Sequence, residues 1–258
     1  KQNKQKALEW YIKSSDQGYP LAKNNLSHFH YNGEVVDQNF ANYFKLLCEA
    51  ATAGFSMSTN GIANFYFDID TDKNRSYEWT IKAAKQGSEA AQNNLGWMYG
   101  TGNGVDLDYN EAFKWYRKSA DQGDDWGQFN LALMYMDGRG VSSDYFIAHD
   151  WYKKSANQGH TGAFNNLGLD YKTGLMYGDS KGNIIKSDYR EAVKWLDKGI
   201  EFGCATCASM LYEIYIEKNN INADPVYLNK LYNPQLAIES LELGDEMGYE
   251  MAPSMLGS

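Results

Sequence analysis

The sequence predicts an all-α solenoid of helix-turn-helix units, and three observations predict it. A Trp stands eight residues before a glycine at Trp10/Gly18, Trp79/Gly87, Trp115/Gly123, Trp151/Gly159 and Trp195/Gly203, while Leu46/Gly54 and Ser240/Gly248 keep the spacing with the Trp replaced. These glycines stand 36, 33, 36, 36, 44 and 45 residues apart, a period that marks stacked supersecondary units. Between them apolar residues recur at helical spacing, as at Ala91, Leu95, Met98 and Tyr99, which form one face of a 3.6-residue helix.

The elements follow in order. Residues 1–17 are a half unit; full units cover 18–53, 54–86, 87–122, 123–158, 159–202 and 203–247; residues 248–258 are a partial unit. Because each unit contacts mainly its neighbours, the array reads as one elongated domain. Helix A follows a marker glycine, and helix B ends at the next one. In 87–122, helix A is expected over 89–99 and closes in Gly100-Thr-Gly102-Asn-Gly104, where glycines give the backbone freedom to reverse. Val105 is the next apolar anchor, and helix B is expected over 109–122 with Ala112, Trp115, Tyr116, Ser119 and Ala120 buried. The marker glycine falls where a helix end favours a left-handed residue.

The same slots recur along the chain. Four residues after the glycine come Ala22, Ser58, Ala91, Gly127, Ala163, Cys207 and Ala252, small enough for two helices to approach. Eight after it come Leu26, Ile62, Leu95, Leu131, Leu167, Leu211 and Leu256. Twelve after it come His30, Tyr66, Tyr99, Tyr135, Tyr171 and Tyr215. Three before it come Ser15, Ala51, Ala84, Ala120, Ala156, Ile200 and Asp245, the last two departing from the pattern.

These slots resemble the Sel-1-like repeat, a relative of the tetratricopeptide repeat. The fullest match runs from Ala91 to Val105 and on through Asp108-Tyr-Asn-Glu-Ala-Phe-Lys-Trp-Tyr-Arg-Lys-Ser-Ala-Asp-Gln-Gly123; residues 6–18, 130–159 and 166–203 match too. The resemblance covers nearly the full length. It implies a right-handed α/α superhelix used as a protein-interaction scaffold.

Several units depart from the pattern. The unit 54–86 is short, and its turn, Asp68-Ile-Asp-Thr-Asp-Lys-Asn74, lacks the Gly-x-Gly reversal. Asp68, Asp70 and Asp72 alternate as in a calcium loop, but Lys73 stands where such a loop needs glycine and Trp79 where it needs glutamate. A solvated turn is therefore expected. Insertions lengthen 173–187 and the region around 219–233. The two terminal half units would expose apolar faces, so a longer or processed natural protein is expected.

Chemistry finds little support. Cys204-Ala-Thr-Cys207 is a C-x-x-C, but Cys207 fills the small-residue slot and three cysteines are too few for a disulfide framework. A thiol redox role for Cys204/Cys207 is the least favoured function. His149 and His160 have no sequence neighbourhood suggesting a triad, and no catalytic residue, metal site or cofactor is expected. The net charge of −9 argues against nucleic acid. No run of about 18 apolar residues exists to span a membrane. Periplasm and cytoplasm both remain open.

The side of helix A opposite the leucine slot is the expected binding surface, on a concave face. It carries Asn24, His28 and Tyr31; Asn60 and Asn64; Asn93 and Trp97; Trp126, Phe129, Leu133 and Met136; and Asn165 and Leu169. Large apolar groups among adaptable amides are what interface hot spots use. The leading function is thus a non-enzymatic protein-binding scaffold, in one version a bacterial immunity protein that blocks a toxic effector enzyme, and the acidic balance suits a basic one. The alternative is an adaptor for complex assembly or host-cell contact.

Overall fold

The computed structural model describes residues 2–33, 35–174 and 187–216, and every regular element among them is an α-helix. In chain order these are α1 (Gln2–Asp16), α2 (Pro20–Asn32), α3 (Phe40–Thr52), α4 (Ser56–Asp68), α5 (Lys73–Lys85), α6 (Glu89–Thr101), α7 (Tyr109–Gln122), α8 (Asp125–Asp137), α9 (Tyr145–Asn157), α10 (Thr161–Thr173), α11 (Tyr189–Glu201) and α12 (Ala205–Ile216). The chain falls into two compact units, Lys1–Gln122 and Gly123–Ser258. In the first, α2 packs on α3, α4 on α5 and α6 on α7; in the second, α8 packs on α9 and α10 on α11. These are the A–B pairs that the period predicts.

Local chemistry starts and stops the helices. Each helix B after α1 opens on an Asx residue fifteen positions before its marker glycine: Asn39, Asp72, Asp108, Asp144 and Asp188. Each side chain accepts from a backbone N–H in the first turn, as Asp72 does from Arg75 at 3.1 Å and Asp144 from Ile147 at 3.0 Å. This satisfies an orphan donor and places an acceptor at the positive helix end. Asp72 of the calcium-like triplet is thereby a cap. The marker glycine follows helix B with φ of 103° at Gly123, a conformation that strains any residue with a Cβ. The expected marker Gly248, the insertions over 175–186 and 219–233, and the final partial unit lie outside the described residues.

The repeated slots form the core. Leu47, Leu95, Leu131 and Leu167 have no exposed surface, and Ala91, Ala112, Ala148 and Ala163 are equally buried. The marker tryptophans after Trp10, which is exposed, sit at the edge of this core. Trp115 and Trp151 are buried, and a lysine three residues on caps each ring, Lys118 at 3.8 Å and Lys154 at 3.5 Å from the centroid. Lys82 does the same over Trp79 at 4.5 Å. The Trp supplies buried area, and the cation covers the ring face left toward water.

A polar staple closes the end of helix B. Gln122 donates to Gln92 at 2.7 Å, and Gln158 donates to Gln128 at 2.9 Å. In the next repeat the equivalent positions hold Phe164 and Phe202, which stack at 5.5 Å. Both partners change together, so the joint stays satisfied in either chemistry.

Two sequence readings need correction. Cys207 does fill the small-residue slot, but it is joined to Cys204 by a disulfide with a Cα–Cα distance of 5.3 Å. Cys204 precedes α12, and its sulfur accepts from the Cys207 N–H at 3.1 Å. Both sulfurs are buried, so a second thiol has no approach to exchange with them. His149 also has a carboxylate neighbour after all. Its Nδ1 lies 2.9 Å from Asp170 Oδ2, its Nε2 lies 3.3 Å from the Tyr171 hydroxyl, and His149 and Asp170 are buried.

Candidate functional site

The expected binding residues fall on the A helices of both units, and burial sorts them. In the first unit the side of helix A away from its helix B carries Leu21, 55% exposed, Met57, 60% exposed, and Trp97, 39% exposed. Tyr31 is exposed beside Phe40 and Tyr43, its ring 5.1 Å from Tyr43. His28 and Asn64 are exposed, and Asn60 and Asn93 are half-buried. Asn24 is the departure. It is 3% exposed, and its Oδ1 accepts from the Ser58 hydroxyl at 2.8 Å. It joins α2 to α4 and is withdrawn from any partner.

Trp97 does not stand alone. Its ring meets Phe67 edge to face at 5.4 Å. The two rings sit over a pocket of about 290 Å³, lined also by Asn64, Asp68, Ser76, Thr80, Asn94 and Met98. Asn94 donates to Asn60 and Asn64, each at 3.4 Å. The pocket lies among α4, α5 and α6, in the repeat with the short turn. Its floor, Ser76 and Thr80, belongs to α5, a helix B, and so lies outside the helix-A face that the sequence singles out.

In the second unit Trp126 is 57% exposed and Leu169 is 44% exposed, while Phe129, Leu133, Met136 and Asn165 are half-buried. His160 organises the patch. It precedes α10, and its Nδ1 accepts from the Ala163 N–H at 3.3 Å. That bond requires an unprotonated Nδ1. Phe129 stacks on the imidazole at 4.4 Å, and Trp126 meets it edge to face at 4.5 Å. Phe129 is thus partly a packing residue, while most of Trp126 remains open.

Burial lowers the His160 pKa, opposed by the nearby carboxylates of Asp125 and Asp124. The fold therefore holds the ring neutral after the unfolded chain, with an ordinary value of about 6.5, has begun to take up a proton. Its contribution to stability is full above about pH 6.5 and is lost as pH falls below that value toward the depressed folded one. Urea denaturation of the wild type should show a loss between about pH 7 and pH 5 that His160→Asn, which keeps a capping side chain, makes smaller. An equal loss in both proteins would refute the assignment.

Among the described residues no group of three His, Cys, Asp or Glu is placed to hold a metal ion. No helix among them is long and apolar enough to cross a membrane.

Comparison with known proteins now bears on the repeat. The Sel1 repeat profile matches residues 1–19, 20–55, 59–88, 89–124, 127–160 and 166–201. The fold is similar to that of a Sel1 repeat protein from Oxalobacter formigenes, with 25% identity, a TM-score of 0.76, and coverage of 93% of this chain and 92% of the other. It is also similar to a protective antigen present in uropathogenic Escherichia coli strains, with 30% identity and a TM-score of 0.71 over 97% of this chain. This chain spans 51% of that antigen's chain. A sel1-like repeat-containing protein of Acanthamoeba polyphaga mimivirus is 32% identical over 101 residues, 39% of this chain and 18% of the viral protein. An immunity protein from Pseudomonas aeruginosa shares the fold at 13% identity, with a TM-score of 0.54 over 90% of this chain and 83% of its own.

Proposed function

The chain belongs to the Sel1 repeat family, and on that premise we propose that it is a non-enzymatic scaffold whose A-helix faces bind another protein. One observation carries the reading. Met57, Trp97, Trp126 and Leu169 are exposed on helices whose Ala and Leu slots already fill the core. Large side chains without a packing role cost solubility unless a partner covers them.

The net charge of −9 favours a basic partner. A blocked toxic enzyme is such a partner, and this is the immunity version of the reading. The fold shared with the Pseudomonas aeruginosa immunity protein is a likeness of fold alone at 13% identity. The buried Cys204–Cys207 disulfide favours the alternative, an adaptor for complex assembly or host-cell contact, in its host-contact form, because disulfides persist in oxidising compartments. The similarity to the Escherichia coli protective antigen points the same way.

Trp97→Ala tests the reading. With a partner identified by affinity capture and mass spectrometry, calorimetry should show binding weakened by about 2 kcal/mol or more. The melting temperature of the same variant should stay near that of the wild type, since the ring is not in the core. Unchanged affinity together with a lowered melting temperature would make Trp97 a packing residue and sink the proposal.

A further inference from the structure

One slot of the repeat is emptied in one place only among the described residues. Seven residues before the marker glycine stand Tyr11, Leu47, Tyr116, Tyr152 and Leu196, but the repeat ending at Gly87 has Thr80. The large side chains fill the space against helix A. A Cβ at Gly96 would lie 2.6 Å from the Tyr116 ring, and one at Gly168 would lie 2.4 Å from Leu196. Thr80 is far smaller, and it lines the 290 Å³ pocket beneath Phe67 and Trp97.

The floor of this pocket offers acceptors. The Ser76 hydroxyl donates to the Ala63 carbonyl at 3.0 Å, and the Thr80 hydroxyl donates to the Ser76 carbonyl at 2.7 Å. Their protons are spent on the backbone, so both offer only lone pairs inward. Asp68 adds a carboxylate that forms no ion pair with any described residue. Phe67 and Trp97 add two aromatic faces. Floor acceptors, a carboxylate and π-faces together suit a cationic ligand rich in donors. A guanidinium has five N–H donors and no acceptor, and it stacks on aromatic rings.

We infer that this pocket receives an arginine side chain of the protein partner. The guanidinium lies against Phe67 and Trp97, donates to Asp68 and to the Ser76 and Thr80 oxygens, and occupies the volume that the other repeats fill with Tyr or Leu. The inference rests on the scaffold reading and names the chemistry of one contact within it. The chain's net charge of −9 favours the approach of a basic segment.

The test uses small probes, so it does not depend on knowing the partner. The tripeptide acetyl-Gly-Arg-Gly-amide is titrated into the ¹⁵N-labelled chain, alongside its citrulline counterpart, which has nearly the same shape but no charge. The arginine peptide should shift the Asn94 side-chain amide and the Trp97 indole signals, with an affinity about tenfold above that of the citrulline peptide. Thr80→Leu, which refills the slot, should abolish these shifts, and Asp68→Asn should weaken them while leaving the amide spectrum of the fold intact. If Thr80→Leu does not fold, Asp68→Asn alone decides. Equal binding of the two peptides, or shifts that survive Asp68→Asn unchanged, overturns the inference. The scaffold reading is judged separately, by the effect of Trp97→Ala on the whole partner.

Discussion

His149→Leu is expected to destabilise the second unit by about 3–5 kcal/mol, because it leaves the buried carboxylate of Asp170 without its partner. The imidazole lies 2.9 Å from that carboxylate, and both side chains are almost wholly buried. In the first unit the equivalent positions hold Phe44 and Phe65, whose rings pack at 4.6 Å. The fold thus accepts either an apolar pair or a hydrogen-bonded polar pair at this joint, but not one member of each. The double variant His149→Leu/Asp170→Leu should accordingly recover most of the loss, to within about 1 kcal/mol of the wild type. Chemical denaturation of the two variants checks both statements. A cost below about 1 kcal/mol for the single variant would mean that the pair contributes little.

Leu131→Ala should cost about 2–5 kcal/mol, since it opens a cavity in a fully packed slot. Leu131 has no exposed surface, and the equivalent Leu95 and Leu167 have none either. Each lies one turn beyond the small-residue slot on the same buried face of helix A, where the surrounding side chains are already packed. A loss under about 1 kcal/mol would show that α8 can relax around the missing atoms.

The fold was largely legible in the sequence because each slot is written several times. A small residue four after the glycine and a leucine eight after it fix which face of helix A turns inward, and one helix predicts the next. Helix B over 109–122 and the start of helix A at residue 89 fell where the spacing placed them. Departures from the repeat were harder to read, since each occurs once. His149 and Asp170 sit 21 residues apart on successive helices, and neither signals the other until the helices are packed. Asn24 holds the same repeat position as the half-buried Asn60 and Asn93, yet Ser58 on the next A helix draws it fully inward. Cys204 and Cys207 matched a motif whose pairing depends on geometry that spacing alone does not supply. Thr80 is a different case. Its slot was visible in the sequence, and comparing that slot across repeats would have exposed the missing bulk behind Trp97.

The candidate site was legible in its exposed aromatics and less so in its supports. Trp97 and Trp126 were recognisable because they sit on helix A where no core slot needs them. Their neighbours were not. Phe67 and His160 hold the rings through contacts at 5.4 Å and 4.5 Å that only packing reveals.

Site-specific photo-crosslinking in living cells tests the central claim most directly. A benzoylphenylalanine would replace Trp97 or Trp126 on the A helices, and Glu78 or Asp150 on exposed positions of the B helices. Irradiation followed by mass spectrometry should give adducts to one and the same protein from the A-helix positions and none from the B-helix positions. Adducts from the B-helix positions alone, or equally from both sets, would contradict the claim that the A-helix faces are where this chain meets its partner.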